Sequence, residues 1–529
     1  MREIGPIQVK AMSVDGEEIA ILDLREELIY SRAHLLHARS LPLSRLELRM
    51  AQLVPRHESR IVLCDDDDGL AARAGTVLAR HGYCNLFMLA GGIAAWAKAG
   101  FELFSGVHVP SKGFGEFVEH ESETPSIAAD ELDRLMRAGT DLVVLDSRPL
   151  DEYARMSIPT GINVPGAELV LRVHDIAPSP DTLVVVNCAG RTRSIIGAQS
   201  LIDAGVPNKV VALRNGTMGW NLAGLACATG ERQRAPLPSP DGLVWAKSAA
   251  DRVAQRFGIE RIDRTRLDQF RADKQRSLYL FDVRDPEEYA AGHVAGSISA
   301  PGGQLVQATD YYVGTLGSRL VLVDDKEVRA VMTASWLRRM GWKDVFVLVE
   351  AGNETGRATP AILGPDPMPE LRIDCDALAA LIAGDGATIV DLSFSRHYRA
   401  GHIPGAWFAI RARLAPGLAR IPLRGVLVLT SEDGVLASLT APEAAALTTL
   451  PVRFLAGGNW AWRQAGHPLS AEDARMADEA VDLWLKPYEQ QGDHKAAMAD
   501  YLSWETDLLP RLERDGYLDL LRANNYAHA

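Results

Sequence analysis

One cysteine in this sequence sits where a thiol can act as a nucleophile. In Asn187-Cys188-Ala189-Gly190-Arg191-Thr192-Arg193-Ser194, an apolar β-branched run ends just before the cysteine and helical spacing begins just after it. A tight loop from strand end to helix start aims successive backbone N–H groups inward, and the helix dipole adds partial positive charge at the same spot. Arg191 and Arg193 bring two permanent charges to this cradle. Together these effects favour the Cys188 thiolate near neutral pH and make it a nucleophile inside an anion pocket. The competing reading is a small structural thiol buried at a helix start. Two arginines within five residues of it argue against that.

Such a loop needs a parallel sheet behind it, and the chain supplies the pattern four times. Apolar runs end in aspartate at Asp23, Asp146, Asp282 and Asp391; the second residue onward is Arg25, Arg148, Arg284 and Ser393. Eleven residues after each aspartate stand His34, Ser157, His293 and His402. A second β-branched run ends at Asp65, Cys188 and Asp324, 42 residues after the aspartate in the first three units, and near Ser431 in the fourth. Turns at Gly91-Gly92, Asn215-Gly216, Ala351-Gly352 and Gly457-Gly458 close the units, with Trp96, Trp220 and Trp462 following three of them. A repeated self-similar segment is a repeated structural unit.

Within the second unit, strands are expected at 142–145, 182–187 and 209–213 with a helix at 192–204, because Ile195, Ala198 and Ile202 recur at helical spacing while Val184, Val185 and Val186 form a continuous run. Alternation of this kind means an α/β fold with parallel sheets flanked by helices. Pro/Gly-rich or polar joints at 105–125, 229–242 and 357–369 divide the chain into units at 1–105, 122–230, 243–360 and 368–470, with a helical, acidic and aromatic extension at 471–529. Ala246, Ala250, Val253 and Phe257 mark an added amphipathic helix before the third unit. The extension is read as packing against the repeats rather than as a separate interaction module.

Composition bounds the function. A chain of 529 residues has room for three to five domains, and 47% hydrophobic with 24% charged residues is ordinary for folded proteins. The net charge of −13 excludes a generic grip on nucleic acid or an anionic membrane, so an anion site must be local. Five cysteines, an odd number with no CxxC pair, are expected as thiols in a reducing compartment. No apolar stretch reaches the ~18 residues of a membrane span and Met1 to Met12 lacks a signal-like run, so the expected location is the cytoplasm. No His/Cys cluster or dinucleotide-type glycine pattern indicates a metal or an organic cofactor.

In this order the Asp-x-Arg strand ends, the segments Gly292-His293-Val294-Ala295-Gly296 and Gly401-His402-Ile403-Pro404-Gly405, and the Gly-Gly-x-x-x-Trp closures resemble the rhodanese-like sulfurtransferases as four tandem domains. The resemblance implies that Cys188 attacks the outer sulfur of thiosulfate, that sulfite leaves, and that the persulfide passes to cyanide or a thiol acceptor. Ala189, Gly190, Arg191, Thr192, Arg193 and Ser194 would then supply N–H donors to the persulfide, with Arg191 and Arg193 holding the sulfonate oxygens. Arg148 either lines the same mouth or serves as a structural ion-pair partner. The second unit departs from the family in having Ser157 where the family has histidine, so His34, His293 and His402 are read as structural turn residues.

Sister loops at Asp65-Asp66-Asp67-Asp68, Asp324-Asp325-Lys326-Glu327 and Ser431-Glu432-Asp433 carry no nucleophile, and those units are expected to be scaffold or docking sites for a sulfur-acceptor protein. Three alternatives stay open at this point. A cysteine phosphatase or arsenate reductase would need Cys-x5-Arg, whereas Cys188 to Arg193 is Cys-x4-Arg. A mercaptopyruvate sulfurtransferase is disfavoured because a basic loop suits dianionic thiosulfate. A non-catalytic persulfide carrier or scaffold, loaded by a protein donor, uses the same cysteine.

Overall fold

The computed structural model of the protein describes residues 1–350, 352–364, 368–472, 474–490 and 492–526. Ala351 of the third closing turn, residues 365–367 of the third joint, and residues 473, 491 and 527–529 of the extension lie outside the described residues.

Apolar runs that alternate with helices fold into four sheets of one design. In the second unit the parallel order is Ser126–Ile127, Val210–Leu213, Leu183–Asn187, Leu142–Asp146, Ile162–Asn163. The two strands of Val and Leu lie at the centre, where both faces are covered and a continuous apolar run is required. The expected strands and helix fall within one residue of those observed; the two edge strands, only two residues long, were not anticipated. The first, third and fourth units repeat the order. Two borrowings tie units together: Thr315–Leu316 of the third unit pairs antiparallel with Ile19–Ala20 of the first, and Arg475–Met476 of the extension adds a strand beside Trp407–Phe408 of the fourth.

The histidines answer the question their spacing raised. His34, His293 and His402 are buried and stack on Tyr30, Tyr289 and Tyr398 with ring centroids about 4 Å apart, each Nδ1 meeting a backbone carbonyl. Burial pushes the His34 pKa down to about 4, so it is neutral at physiological pH. The tyrosine partner, seven residues after each aspartate, is present in all four units, as Tyr153 in the second, and each hydroxyl donates to a carbonyl eight residues onward. This regularity was available in the sequence and was overlooked.

The second and third units share one core. The added helix, Pro240–Phe257, starts at Ser239, whose hydroxyl accepts the Gly242 N–H at 3.0 Å, and wedges between Leu169–Ile176 of the second unit and Val328–Arg339 of the third. Leu508 and Leu512 of the extension's long helix, His494–Asp515, enter the same core, so this helix is tied down against the repeats. Removing either leucine side chain would cost about 2–5 kcal/mol. Among the described residues, no helix is long and apolar enough to cross a membrane.

Candidate active site

Asp146 and Asn187 end neighbouring central strands in register, and the Asn187 amide donates to Asp146 Oδ2 at 2.7 Å. The chain therefore leaves both strands at one rim, the carboxyl end of a parallel sheet, where α/β folds place their ligands. Arg148 folds back onto Asp146, with Nε to Oδ1 at 2.8 Å and Nη2 to Oδ2 at 2.6 Å, and gives a further bond to the Met156 carbonyl. It is 1% exposed and makes the structural ion pair expected of it. Arg25 with Asp23 and Arg284 with Asp282 make the same pair in units without a cysteine.

Cys188 starts the loop into the helix Thr192–Asp203. The thiol donates to the Ser194 hydroxyl at 3.6 Å, and that hydroxyl donates to the Arg191 carbonyl at 2.7 Å. What the loop does to a side chain at its first position is visible in the sister units. The Asp65 carboxylate accepts the N–H of Asp67 at 3.0 Å and of Ala71 at 2.9 Å. The Asp324 carboxylate accepts those of Lys326, Arg329 and Ala330 at 3.1, 2.8 and 3.3 Å, and Ser431 Oγ that of Ala437 at 3.3 Å. In these units the loop amides face the first side chain, as in an anion-binding nest, and in the second unit that first position is Cys188.

The opposite side of the loop is fixed by Gly216, which has φ +54°. Its N-terminal turn lies so close that Thr217 N–H and Met218 N–H donate to the carbonyls of Cys188 and Ala189 at 2.9 and 3.0 Å. Those two carbonyls are thereby engaged on the side of this turn.

The two loop arginines are engaged by carboxylates. Arg191 gives two 2.8 Å bonds to Glu116, one to Glu119 and one to Asn215 Oδ1 at 3.2 Å. Burial outweighs Arg191 at Glu116, whose pKa is raised. Arg193 bonds Glu152 at 2.8 Å and Gln304 of the third unit at 3.1 Å. Burial works against the Arg193 charge, but Glu152 and then Cys188 more than offset it, and its pKa is raised. Glu152 is held well below the usual carboxylate range because Arg193, Lys486 and Arg148 overcome the opposing effect of burial. A carboxylate lowered in the fold contributes its stabilisation above the ordinary value of 4.5 and loses it only as pH falls through the lowered value.

Sequence reasoning missed the extension as part of this site. Met498 and Leu502 pack with Ala189 and Met218, and Tyr501, Lys486 and Tyr488 line the cavity of about 310 Å³ that holds Cys188, which is itself 2% exposed. Glu505, fully buried, accepts from Lys112 Nζ at 2.8 Å, Tyr501 Oη at 3.1 Å and Thr192 Oγ1 at 3.3 Å. Glu152 had a signal that could have been used: Glu288 stands at its place in the third unit and pairs with Arg329, which stands at the place of Arg193. Tyr501 and Glu505 had none, since nothing local says where a distant helix docks.

This placement carries a prediction. Tyr501→Ala should open the roof over Gly190 and speed alkylation of Cys188 by iodoacetamide about tenfold, read by mass; an unaltered rate would mean that the extension does not gate the thiol.

Residues 6–99, 128–223 and 264–353 match the rhodanese-like domain family. The chain belongs to the rhodanese-like family. The family match does not extend to the fourth sheet, although its strand order repeats that of the second. A crystal structure of a thiosulfate sulfurtransferase from Pseudomonas aeruginosa is similar at 45% identity and a TM-score of 0.94, over 98% of this chain and 99% of that one. Curated relatives are matched over shorter stretches. Centrosomal protein of 41 kDa from Gallus gallus is 34% identical over 85 residues, 15% of this chain and 23% of that protein. An HTH-type transcriptional regulator of Mycobacterium tuberculosis is 33% identical over 104 residues, 20% of this chain and 45% of that protein. This rhodanese-like chain thus covers less than half the length of these two curated relatives.

Proposed function

We propose that the protein is a thiosulfate sulfurtransferase in which the second of four rhodanese-like units carries the reaction through a persulfide on Cys188. The observation that carries this reading is the loop position: where the loop amides hold a carboxylate in two sister units, this unit has a cysteine, its thiol donating to the Ser194 hydroxyl. The kinship along the whole chain with a thiosulfate sulfurtransferase supports it.

In the first half-reaction the Cys188 thiolate attacks the outer sulfur of thiosulfate. The sulfur–sulfur bond of the donor breaks, sulfite leaves with the electron pair, and the terminal sulfur of the new persulfide carries the negative charge. The inward amides from Ala189 to Ser194 stabilise that charge, since fixed dipoles in a dry pocket act without reorganising. Arg193, held by Glu152 and Gln304 on the wall of the cavity that holds Cys188, suits the sulfonate, while Arg191, tied to Glu116 and Glu119, contributes through its amide and by fixing the loop. In the second half-reaction cyanide or a thiolate removes the outer sulfur and returns Cys188 to the thiolate. Free thiols throughout the described chain fit a cytoplasmic, reducing setting.

Excess thiosulfate is expected to add one sulfur atom to Cys188, and cyanide to remove it as thiocyanate. An unmodified Cys188 in folded protein would overturn the proposal. Arg193→Ala should raise the KM for thiosulfate about 10- to 100-fold, the value of a charge-assisted contact, and lower the melting temperature by stripping Glu152 of its closer partner. A wild-type KM in that variant would place the sulfonate elsewhere.

A further inference from the structure

The cavity around Cys188 runs well past the catalytic loop. At about 310 Å³ it reaches the range of pockets for small organic ligands, ~300–1,000 Å³, and is far roomier than thiosulfate or cyanide requires. Its far wall comes from the parts of the chain without a nucleophile: His108 from the joint after the first unit, Gln304 and Gln307 from the third, Arg396 from the fourth, and Trp484 and Tyr488 from the extension. Neutral amides beside aromatic faces suit an organic molecule better than a bare inorganic ion.

Most cations on this wall are held by carboxylates. Lys112 is paired with Glu505, Arg191 with Glu116 and Glu119, and both Arg193 and Lys486 with Glu152. His108 meets Asp310 at 2.7 Å. Arg396 is exposed and, among the described residues, has no carboxylate at ion-pair distance; its Nε meets His397 Nε2 at 3.4 Å. Glu27, on the same wall, also has no ion-pair partner among the described residues, and burial raises its pKa and so disfavours its charge. A cation without an ion-pair partner at the rim of the cavity is positioned to receive a charge that arrives with a ligand.

We infer that the cysteine-free units and the extension wall an acceptor subsite, and that the acceptor is a small organic thiol bearing a carboxylate or similar anionic group that Arg396 receives. This rests on the Cys188 persulfide reading and adds the chemical class of the second substrate. The acceptor enters as a thiolate, its proton already lost to solvent. Its sulfur bonds to the outer sulfur of the persulfide, the bond between that sulfur and Cys188 Sγ breaks, and the electron pair returns to Sγ. The products are the acceptor's persulfide anion and the Cys188 thiolate. A cysteine 2% exposed under the extension is reached by a small molecule and not by a thiol on the surface of a folded partner.

The test uses the full-length protein with thiosulfate as donor and sulfite release as readout. The acceptors are mercaptosuccinate, which carries two carboxylates, and uncharged 2-mercaptoethanol. Arg396→Gln should lower the ratio of kcat/KM for mercaptosuccinate over 2-mercaptoethanol about fivefold, the loss expected for one partly solvated charge-assisted contact, and Arg396→Lys should keep most of the ratio. Comparing ratios removes the intrinsic reactivity of the two thiols. A ratio unmoved in Arg396→Gln would overturn the inference, as would faster discharge of the loaded enzyme to a folded thiol protein such as reduced thioredoxin than to mercaptosuccinate. If thiosulfate failed to load sulfur onto wild-type Cys188, the parent reading would fall as well, so the two failures are distinguishable.

Discussion

Cys188→Ala is expected to abolish sulfur transfer while leaving the fold in place. None of the other four cysteines stands at the loop position of its unit. Cys64 ends the central strand of the first unit, is buried in its core, and has its pKa driven well above the usual thiol value, first by burial and then by Asp23. At the position of Cys188 the sister loops have Asp65, Asp324 and Ser431, of which the carboxylates already occupy their own amides. Loss of a covalent nucleophile should therefore reduce thiocyanate formation by at least about a thousandfold. Stability should fall by only about 1 kcal/mol, because one small side chain with a single weak hydrogen bond is removed. Thiocyanate assay beside a thermal melt checks both parts, and appreciable turnover in the folded variant would mean that another group carries the sulfur.

A variant at a residue with no chemistry of its own should be almost as damaging. An added Cβ at Gly216 would lie 2.3 Å from the Cys188 carbonyl oxygen and 2.8 Å from that of Gly190, and the backbone there has φ +54°. Neither obstacle is a flexible side-chain tip, so Gly216→Ala must push the catalytic loop or the turn out of place. Displacing a nucleophile by about 1 Å costs on the order of 100-fold in rate, and strain at such a backbone position costs about 1–3 kcal/mol. The expected result is a kcat/KM about 100-fold lower with a reduced melting temperature. The same clash exists at Gly92 with Asp65 O and at Gly458 with Ser431 O, in units without a cysteine. Gly92→Ala should thus destabilise the protein comparably, and a similar loss of kcat/KM in that variant would show that the Gly216 effect is general unfolding and not loop displacement.

Much of this molecule was legible because its units are built from local signals. A β-branched run followed by a loop and a helical period must place a strand end against a helix start, so the position of Cys188 between the two follows from about ten consecutive residues. The repeated aspartate strand ends, three of them Asp-x-Arg, and the closing glycine turns marked four units, and the four sheets share one strand order. Local pattern also explains why the histidines could be read as structural: each is held by a tyrosine in its own turn.

What lay beyond the sequence are the contacts between segments far apart in it. The period of the helix His494–Asp515 says that one face is buried and is silent about which surface covers it. Only the folded chain brings Leu502 onto Ala189, Glu505 to Thr192, and Arg396 of the fourth unit to the cavity of the second. Arg191 illustrates the same divide within the site. Its charge near the cysteine was evident from spacing, but its direction was set by Glu116 and Glu119, carboxylates on a helix more than seventy residues earlier. Turn and strand geometry are properties of neighbouring residues, whereas the partner of a long charged side chain is chosen by whatever surface the packing of whole units brings within reach.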